Sequence, residues 1–350
     1  MEIHDKMVFT KYGKSSGFYR KTKSSFFLNN SEHLNDALRL NNFYKTQPRR
    51  SVCKICSTKL SLVEDFHSHG IDYVFCESCG HLNGCYEDTR EFVDFMYINE
   101  DGKDYSAGYI DNGFKQRVRD IYTPKAEFLV ENLSTNDFEV LDVGCGAGHF
   151  VLACNLLNIE CSGIDVSKTM IDYGNEQISH LINLNPLRLV DETSIYEEVL
   201  TTKATVVTAI GVIEHLRDPQ KFFASFKKSK AKYLFYEVPM FGLAAILENI
   251  NSRVFPRSLA GGHTHLFTET SLTKMNELMM AEPIAEWRFG ADMQDFLRHL
   301  LINLKLNKAS DKIITLTDNT LNSQIDAMQH IIDKAHFCSE IHVLVQKNDL

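Results

Sequence analysis

The sequence predicts an α/β fold: a mostly parallel sheet wrapped by helices, with a small metal-stapled segment ahead of it. Three observations predict it. Residues 140–150 read Val-Leu-Asp-Val-Gly-Cys-Gly-Ala-Gly-His-Phe, and the apolar stretch Phe150 to Leu157 that follows suits a helix. Strand, glycine turn and helix in that order leave room for a nucleoside-bearing ligand at the carboxyl ends of a sheet. Ala204–Ile210 (Ala-Thr-Val-Val-Thr-Ala-Ile) is apolar and β-branched, as a strand buried on both faces should be. Finally, Cys53-x-x-Cys56 and Cys76-x-x-Cys79 stand nineteen residues apart, the spacing of a four-thiolate zinc site.

The elements follow in order. Residues 1–50 form a basic, polar leader with a helical stretch near Glu32–Tyr44. The leader holds ten Lys or Arg against four Asp or Glu, whereas the whole chain carries −9. It reads as a solvated segment, with an arm that touches RNA or an anionic sugar nucleotide as the alternative. Residues 51–100 hold the two knuckles. Gly80 suits the tight turn of the second, and a segment this small cannot build its own core, so a metal would stabilise it directly. His67, His69, His81 and Cys85 lie close enough in sequence to substitute as ligands. A coincidental spacing or a redox dithiol is the competing reading. A polar linker, Asn99–Asn112, leads into the domain at 101–350.

Within that domain the expected strands are Val140–Val143, Cys161–Val166, Pro186–Asp191, Ala204–Ile210, Lys232–Val238, Glu286–Phe289 and Ile341–Gln346. Met293–Leu306 and Ser323–His336 show apolar residues at helical spacing. They make a helical insertion near 293–338, read as core or homodimer packing, with a lid over the substrate as the alternative. Cys145, Cys154, Cys161 and Cys338 read as small core or turn residues.

The glycine spacing is G-x-G-x-G, not the G-x-G-x-x-G of a dinucleotide site. Asp142 precedes the first glycine, and Asp165 ends the next strand, where an acid would meet a ribose diol. This pair of segments, with Gly-Ile-Asp-Val-Ser at 163–167, resembles the cofactor site of class I S-adenosylmethionine-dependent methyltransferases. The resemblance implies a Rossmann-like, seven-stranded sheet over roughly residues 113–350. It also implies that Asp142, Gly144, Cys145, Gly146, Gly148 and Ile210 lie along the cofactor, that Asp165 and Val166 flank the ribose, and that Asp191 lies near the adenine. A nucleotide-binding or redox Rossmann domain is the alternative.

Gly211-Val-Ile-Glu-His-Leu-Arg-Asp-Pro219 resembles the E-x-x-E-H-L-x-D-P segment of many small-molecule methyltransferases, with Gly211 in place of the first Glu. The zinc-binding stretch ahead of such a domain, and the run Met96-Tyr97-Ile98 … Asp104-Tyr105-Ser106, resemble sugar methyltransferases of bacterial natural-product and capsule or surface-polysaccharide pathways. The chain departs from the C-methylating members. It is too short for their further C-terminal domain, and it reads His263-Thr264-His265 where they carry His-Glu-His. O-methylation is therefore expected over N- or C-methylation.

A sugar hydroxyl needs a base or a metal to become a nucleophile near neutral pH. His265 is the leading candidate, with Glu214, His215, His263 and Tyr236 beside it. Two mechanisms stay open. His265 or His215 is the general base, since a His needs little tuning for that role. Alternatively Glu214, His215 and His265 hold Mg²⁺ or Mn²⁺; Gly211 removes a carboxylate that metal-assisted relatives use. Tyr236 and Tyr105 are further candidates for holding sugar hydroxyls.

The net charge of −9 counts against general nucleic-acid binding. No run of eighteen apolar residues or signal-peptide core occurs, so no membrane insertion is expected. Paired thiols without a secretory signal point to a reducing cytoplasm. Two further readings stand beside a sugar methyltransferase: an RNA methyltransferase gripping phosphates with its leader and knuckles, and a methyltransferase-like protein that binds without turnover.

Overall fold

The computed structural model describes residues 8–17, 20, 23, 25–97, 113–133, 135, 137–259 and 263–348. The linker residues Asp104, Tyr105 and Ser106 lie outside them. Twelve strands occur among the described residues: β1 Phe9–Tyr12, β2 Phe66–Ser68, β3 Ile71–Phe75, β4 Leu82–Gly84, β5 Val140–Val143, β6 Cys161–Asp165, β7 Leu187–Leu189, β8 Val206–Ile210, β9 Tyr233–Pro239, β10 His265–Leu266, β11 Ala281–Phe289 and β12 Glu340–Lys347.

Eight of them make the main sheet, in the order β1-β11-β12-β9-β8-β5-β6-β7. Only β12 runs against the others, pairing antiparallel with both β9 and β11. This corrects the expected seven strands to eight. The extra strand is β1, which comes from the basic leader and pairs parallel with β11, Phe9 opposite Ala285 and Tyr12 opposite Arg288. On this strand Lys11 lays its ammonium 4.1 Å from the Trp287 ring centroid. The leader also supplies the helix Asn30–Tyr44.

Side chains alternate across the sheet. On β9, Leu234, Tyr236 and Val238 enter one core layer with Phe222, Phe226 and Met275. Phe235 faces the other layer, with Phe128, Phe150 and Trp287. Both layers are apolar, so the strands read as near-continuous hydrophobic runs.

Between β11 and β12 the chain forms three helices, Asp292–Leu306, Asp311–Asn322 and Ile325–Lys334. Met293, Leu297, Leu301 and Ile325 bury a core of their own, so the first and third are held by ordinary packing. No described helix is long and apolar enough to cross a membrane.

The cysteine segment is stitched to the large domain rather than tethered beside it. Strand β4 pairs with β10, His265 opposite Asn83, and completes a second sheet of order β10-β4-β3-β2. Cys53, Ile55, Leu60 and Val74 share a core with Ile213 and Phe267.

Candidate active site

The carboxyl ends of β5, β8 and β9 open onto one cleft of about 650 Å³, lined by Gly144, Gly146, Ile210, Glu214, His215 and His263 among others. The glycine turn forms its floor. Gly144 has φ +67°, and a Cβ there would come within 2.5 Å of Val212. Gly146 has φ +52°, yet a Cβ there would meet nothing closer than Met170 at 3.5 Å. The first glycine is therefore needed for packing, and the second leaves bare backbone beside the cleft.

Two acids frame that backbone. Asp142 is buried and accepts the Thr208 hydroxyl at 2.6 Å. Burial pushes its carboxyl up to about 7, against the pull of that hydrogen bond, and the neighbouring Asp165 charge adds to the rise. Asp165 accepts from the Gly146 amide at 2.8 Å and the Ser167 amide at 2.7 Å, so the carboxylate and the turn are fixed to each other. Cys145 lines the same floor, Val166 is exposed beside Asp165, and Gly148 begins the helix His149–Leu156. Asp191 is exposed and spends its oxygens on Thr193 and Ser194, which hold it well below the usual carboxylate range.

Across the cleft, the 3-10 turn Ile213–His215 presents the Glu-His pair. His215 Nε2 lies 3.7 Å from Glu214 Oε1. Burial pushes Glu214 up to about 8, and its Oε2 has no hydrogen-bond partner among the described residues. His263 completes the group: Glu214, His215 and His263 each offer a ligand atom within 4.8 Å of the others. A carbonyl only accepts, so the contact of His263 Nδ1 with the Ser258 carbonyl at 3.0 Å puts the proton on Nδ1 and leaves the Nε2 lone pair available. Burial lowers the imidazole to about 4.

His265 is placed elsewhere. It is buried below the cleft wall, with Nε2 3.0 Å from the Glu214 carbonyl and Nδ1 2.8 Å from His81 Nε2. Nε2 must donate to that carbonyl, so Nδ1 is the acceptor for His81, and no ring nitrogen is left for substrate. The expected trio of Glu214, His215 and His265 is thus corrected: His263 stands where His265 was expected. Tyr236 is also turned away, its hydroxyl 3.0 Å from Asn276 Oδ1 in the core on the far layer.

Sequence reasoning missed the cations of the cleft. Lys125 donates to Glu237 at 2.6 Å. Burial alone would raise Glu237, but Lys125 and His342, 3.0 Å away, hold it well below its usual range. Lys14, Lys23, Arg117 and Arg257 also line the cleft. The basic excess of the leader was the available signal; its position over the sheet was not readable.

The four cysteines converge, with Cys53 Sγ 3.6 Å from Cys79 Sγ and Cys56 Sγ 3.5 Å from Cys76 Sγ. Four sulfurs about 2.3 Å from one ion stand roughly 3.8 Å apart in a tetrahedron, so the donor set and its spacing fit zinc. His67, His69, His81 and Cys85 fall outside that group.

Residues 113–278 match a family model described as a methyltransferase domain. Among solved structures, the fold is similar to a SAM-dependent methyltransferase from Archaeoglobus fulgidus, at 16% identity over 67% of this chain and 98% of that one, with a TM-score of 0.41. It is similar to magnesium protoporphyrin IX methyltransferase from Synechocystis PCC 6803, at 11% identity over 75% of this chain and 100% of that one, TM-score 0.47. Coclaurine N-methyltransferase gives 16% identity, 65% and 72% coverage, and a TM-score of 0.41. These are distant likenesses. No curated protein matches the chain. Residues 113–278, a little under half of the chain, thus carry a methyltransferase domain, and the enzyme class this supports is an S-adenosylmethionine-dependent methyltransferase.

Proposed function

We propose that the protein transfers a methyl group from S-adenosylmethionine to a hydroxyl of a sugar, nucleotide-linked or a glycan precursor. The observation that carries this reading is that one cleft joins the bare backbone at Gly146 to the Glu214, His215 and His263 group. Asp165, with Val166 beside it, would take the ribose; Asp142 and the glycine turn would lie along the methionine portion; Asp191 would lie near the adenine. The sulfonium supplies an electrophilic methyl carbon. The hydroxyl oxygen attacks that carbon in line, the carbon–sulfur bond breaks, and S-adenosylhomocysteine leaves. The hydroxyl proton passes to the base.

The base is assigned to His215, whose side chain reaches the cleft. A general base works best near the operating pH, and burial makes His263 a weak one. His263 and Glu214 then orient the acceptor. A second reading has one favouring observation, the unpartnered Glu214 Oε2: Glu214, His215 and His263 would hold Mg²⁺ or Mn²⁺, which would acidify the hydroxyl. The four cysteines would hold a structural zinc. A cytoplasmic location and a homodimer remain part of the proposal.

The test is a methylation assay with a panel of nucleotide sugars, read by mass spectrometry, with and without a chelator. A product heavier by one methylene supports the reading. Activity lost with the chelator and regained with manganese selects the metal. Methylation of RNA with no sugar product would overturn the sugar assignment.

A further inference from the structure

The cleft does not stop at the reacting group. It continues along the carboxyl edge of the sheet, past β9 and the Glu340 end of β12, to the ends of β11 and β1. An annex of about 140 Å³ opens there, lined by Lys14, Lys23, Arg117, Gln294 and Glu340, and four of these also line the main cleft.

The annex brings together three cations, Lys14, Lys23 and Arg117, and two acids, Asp120 and Glu340. Lys14 follows β1, its ammonium 4.7 Å from the Phe289 ring centroid. The Lys23 ammonium lies 5.1 Å from the Phe26 ring centroid. Among the described residues neither ammonium forms a direct ion pair, although Glu340 and Glu237 act on Lys14 from further off. Other cations of the cleft are already matched, Arg257 to Asp295 at 2.7 Å and Lys125 to Glu237 at 2.6 Å. Burial and the Lys125 charge push Lys14 down to about 8; burial, then Arg117 and Arg257, push Lys23 down. Gln294 is 2% exposed, and its side-chain oxygen has no partner among the described residues. Buried amides are normally satisfied, so an orphan beside a hollow points to a missing partner.

We propose that Lys14 and Lys23 form a subsite for the phosphate or diphosphate of the methyl acceptor, with Gln294 beside it. The cations take the phosphate oxygens, and the Gln294 oxygen accepts a hydroxyl. This deepens, and rests on, the reading of the acceptor as a nucleotide-linked sugar. The layout has the right length. The base stands at β8, and three strand spacings separate β8 from β11, roughly 14 Å, a span that a sugar ring with its diphosphate covers. The donor's own carboxylate is the competing anion, but it would lie nearer β5.

Pyrophosphate titrated calorimetrically into the full chain, with and without S-adenosylhomocysteine, tests the subsite. Binding is expected, weakened about tenfold or more by Lys14→Ala or Lys23→Ala, retained by Lys14→Arg and lost in Gln294→Glu. Circular dichroism and S-adenosylhomocysteine affinity should stay as in the wild type. Absent pyrophosphate binding, or binding unchanged by the double alanine variant, overturns the subsite. A parallel loss of S-adenosylhomocysteine affinity also overturns it, by giving the lysines to the donor. Glucuronate binding through the same lysines without pyrophosphate binding overturns the phosphate assignment. The readout needs no turnover, so it fails or succeeds separately from the sugar assay.

Discussion

His81 Nε2 lies 2.8 Å from His265 Nδ1, and this contact links the cysteine segment through His265 Nε2 to the backbone of the turn that carries Glu214 and His215. His81 follows Cys79 by two residues, and its ring is fully buried. Both imidazoles are held well below their usual pKa by burial, so the bridge is neutral and its protons are ordered. His265→Phe leaves the Glu214 carbonyl and His81 unpaired. A loss of about 1–3 kcal/mol is expected, read by urea unfolding, and turnover should fall with it. An unchanged midpoint would show the bridge to be dispensable.

Asp165 is the proposed ribose acid, and its removal tests the donor site. Asp165→Ala should weaken S-adenosylmethionine binding by about tenfold or more, measured by calorimetry. The same variant loosens the turn, because the Gly146 amide loses its acceptor. An affinity equal to wild type would take the donor away from Asp165.

The base should show in kcat. His215→Ala is expected to cut turnover by roughly 10²-fold with donor affinity intact. His263→Ala should raise KM more than it lowers kcat. If the two variants behave in the opposite way, the roles are exchanged.

Metal analysis of undenatured protein should find zinc at about one per chain. Cys76→Ser should lower the unfolding temperature and disturb Glu214 as well, since β4 and His81 sit on the same knuckle. Zinc-free protein of unchanged stability would refute the structural role.

Acid should weaken the fold through His342. Burial lowers its imidazole to about 4, against the pull of Glu237; Lys125 and Lys14 also face it. Below about pH 6.5 the unfolded chain takes a proton there that the folded chain refuses. Stability contributed by the neutral ring is thus present above that pH and lost as pH falls toward 4. One such proton is worth up to about 1.4 kcal/mol per pH unit. His342→Gln should flatten the stability profile across that window, followed by urea unfolding at each pH.

The parts legible in the sequence are those with strong local pattern. The apolar runs placed β5, β6, β8, β9 and β12 close to their observed bounds, and the glycine turn and the two acids fell where the pattern put them. Strand β1 was not legible: it is four residues of mixed polarity, and its partner lies far along the chain. The helix Asp311–Asn322 was missed because it buries no residue fully, and only Ile314 and Leu321 pack in part against the insertion's core. The choice between His263 and His265 was beyond local reasoning. It is decided by β10 pairing with β4, a contact between segments that no spacing announces.

The position of β1 sets an order of assembly. Its partner β11 joins the rest of the sheet only through β12, so residues 9–12 pair with β11 only after residues 281–289 have been synthesised, and the pair docks on the sheet through residues 340–347. Lys14 reaches the cleft by the same late docking. Such distant pairing slows folding, because the intervening loop must close before any contact rewards it. Loss of residues 340–347 would therefore release both outer strands at once and take Glu340 out of the cleft wall.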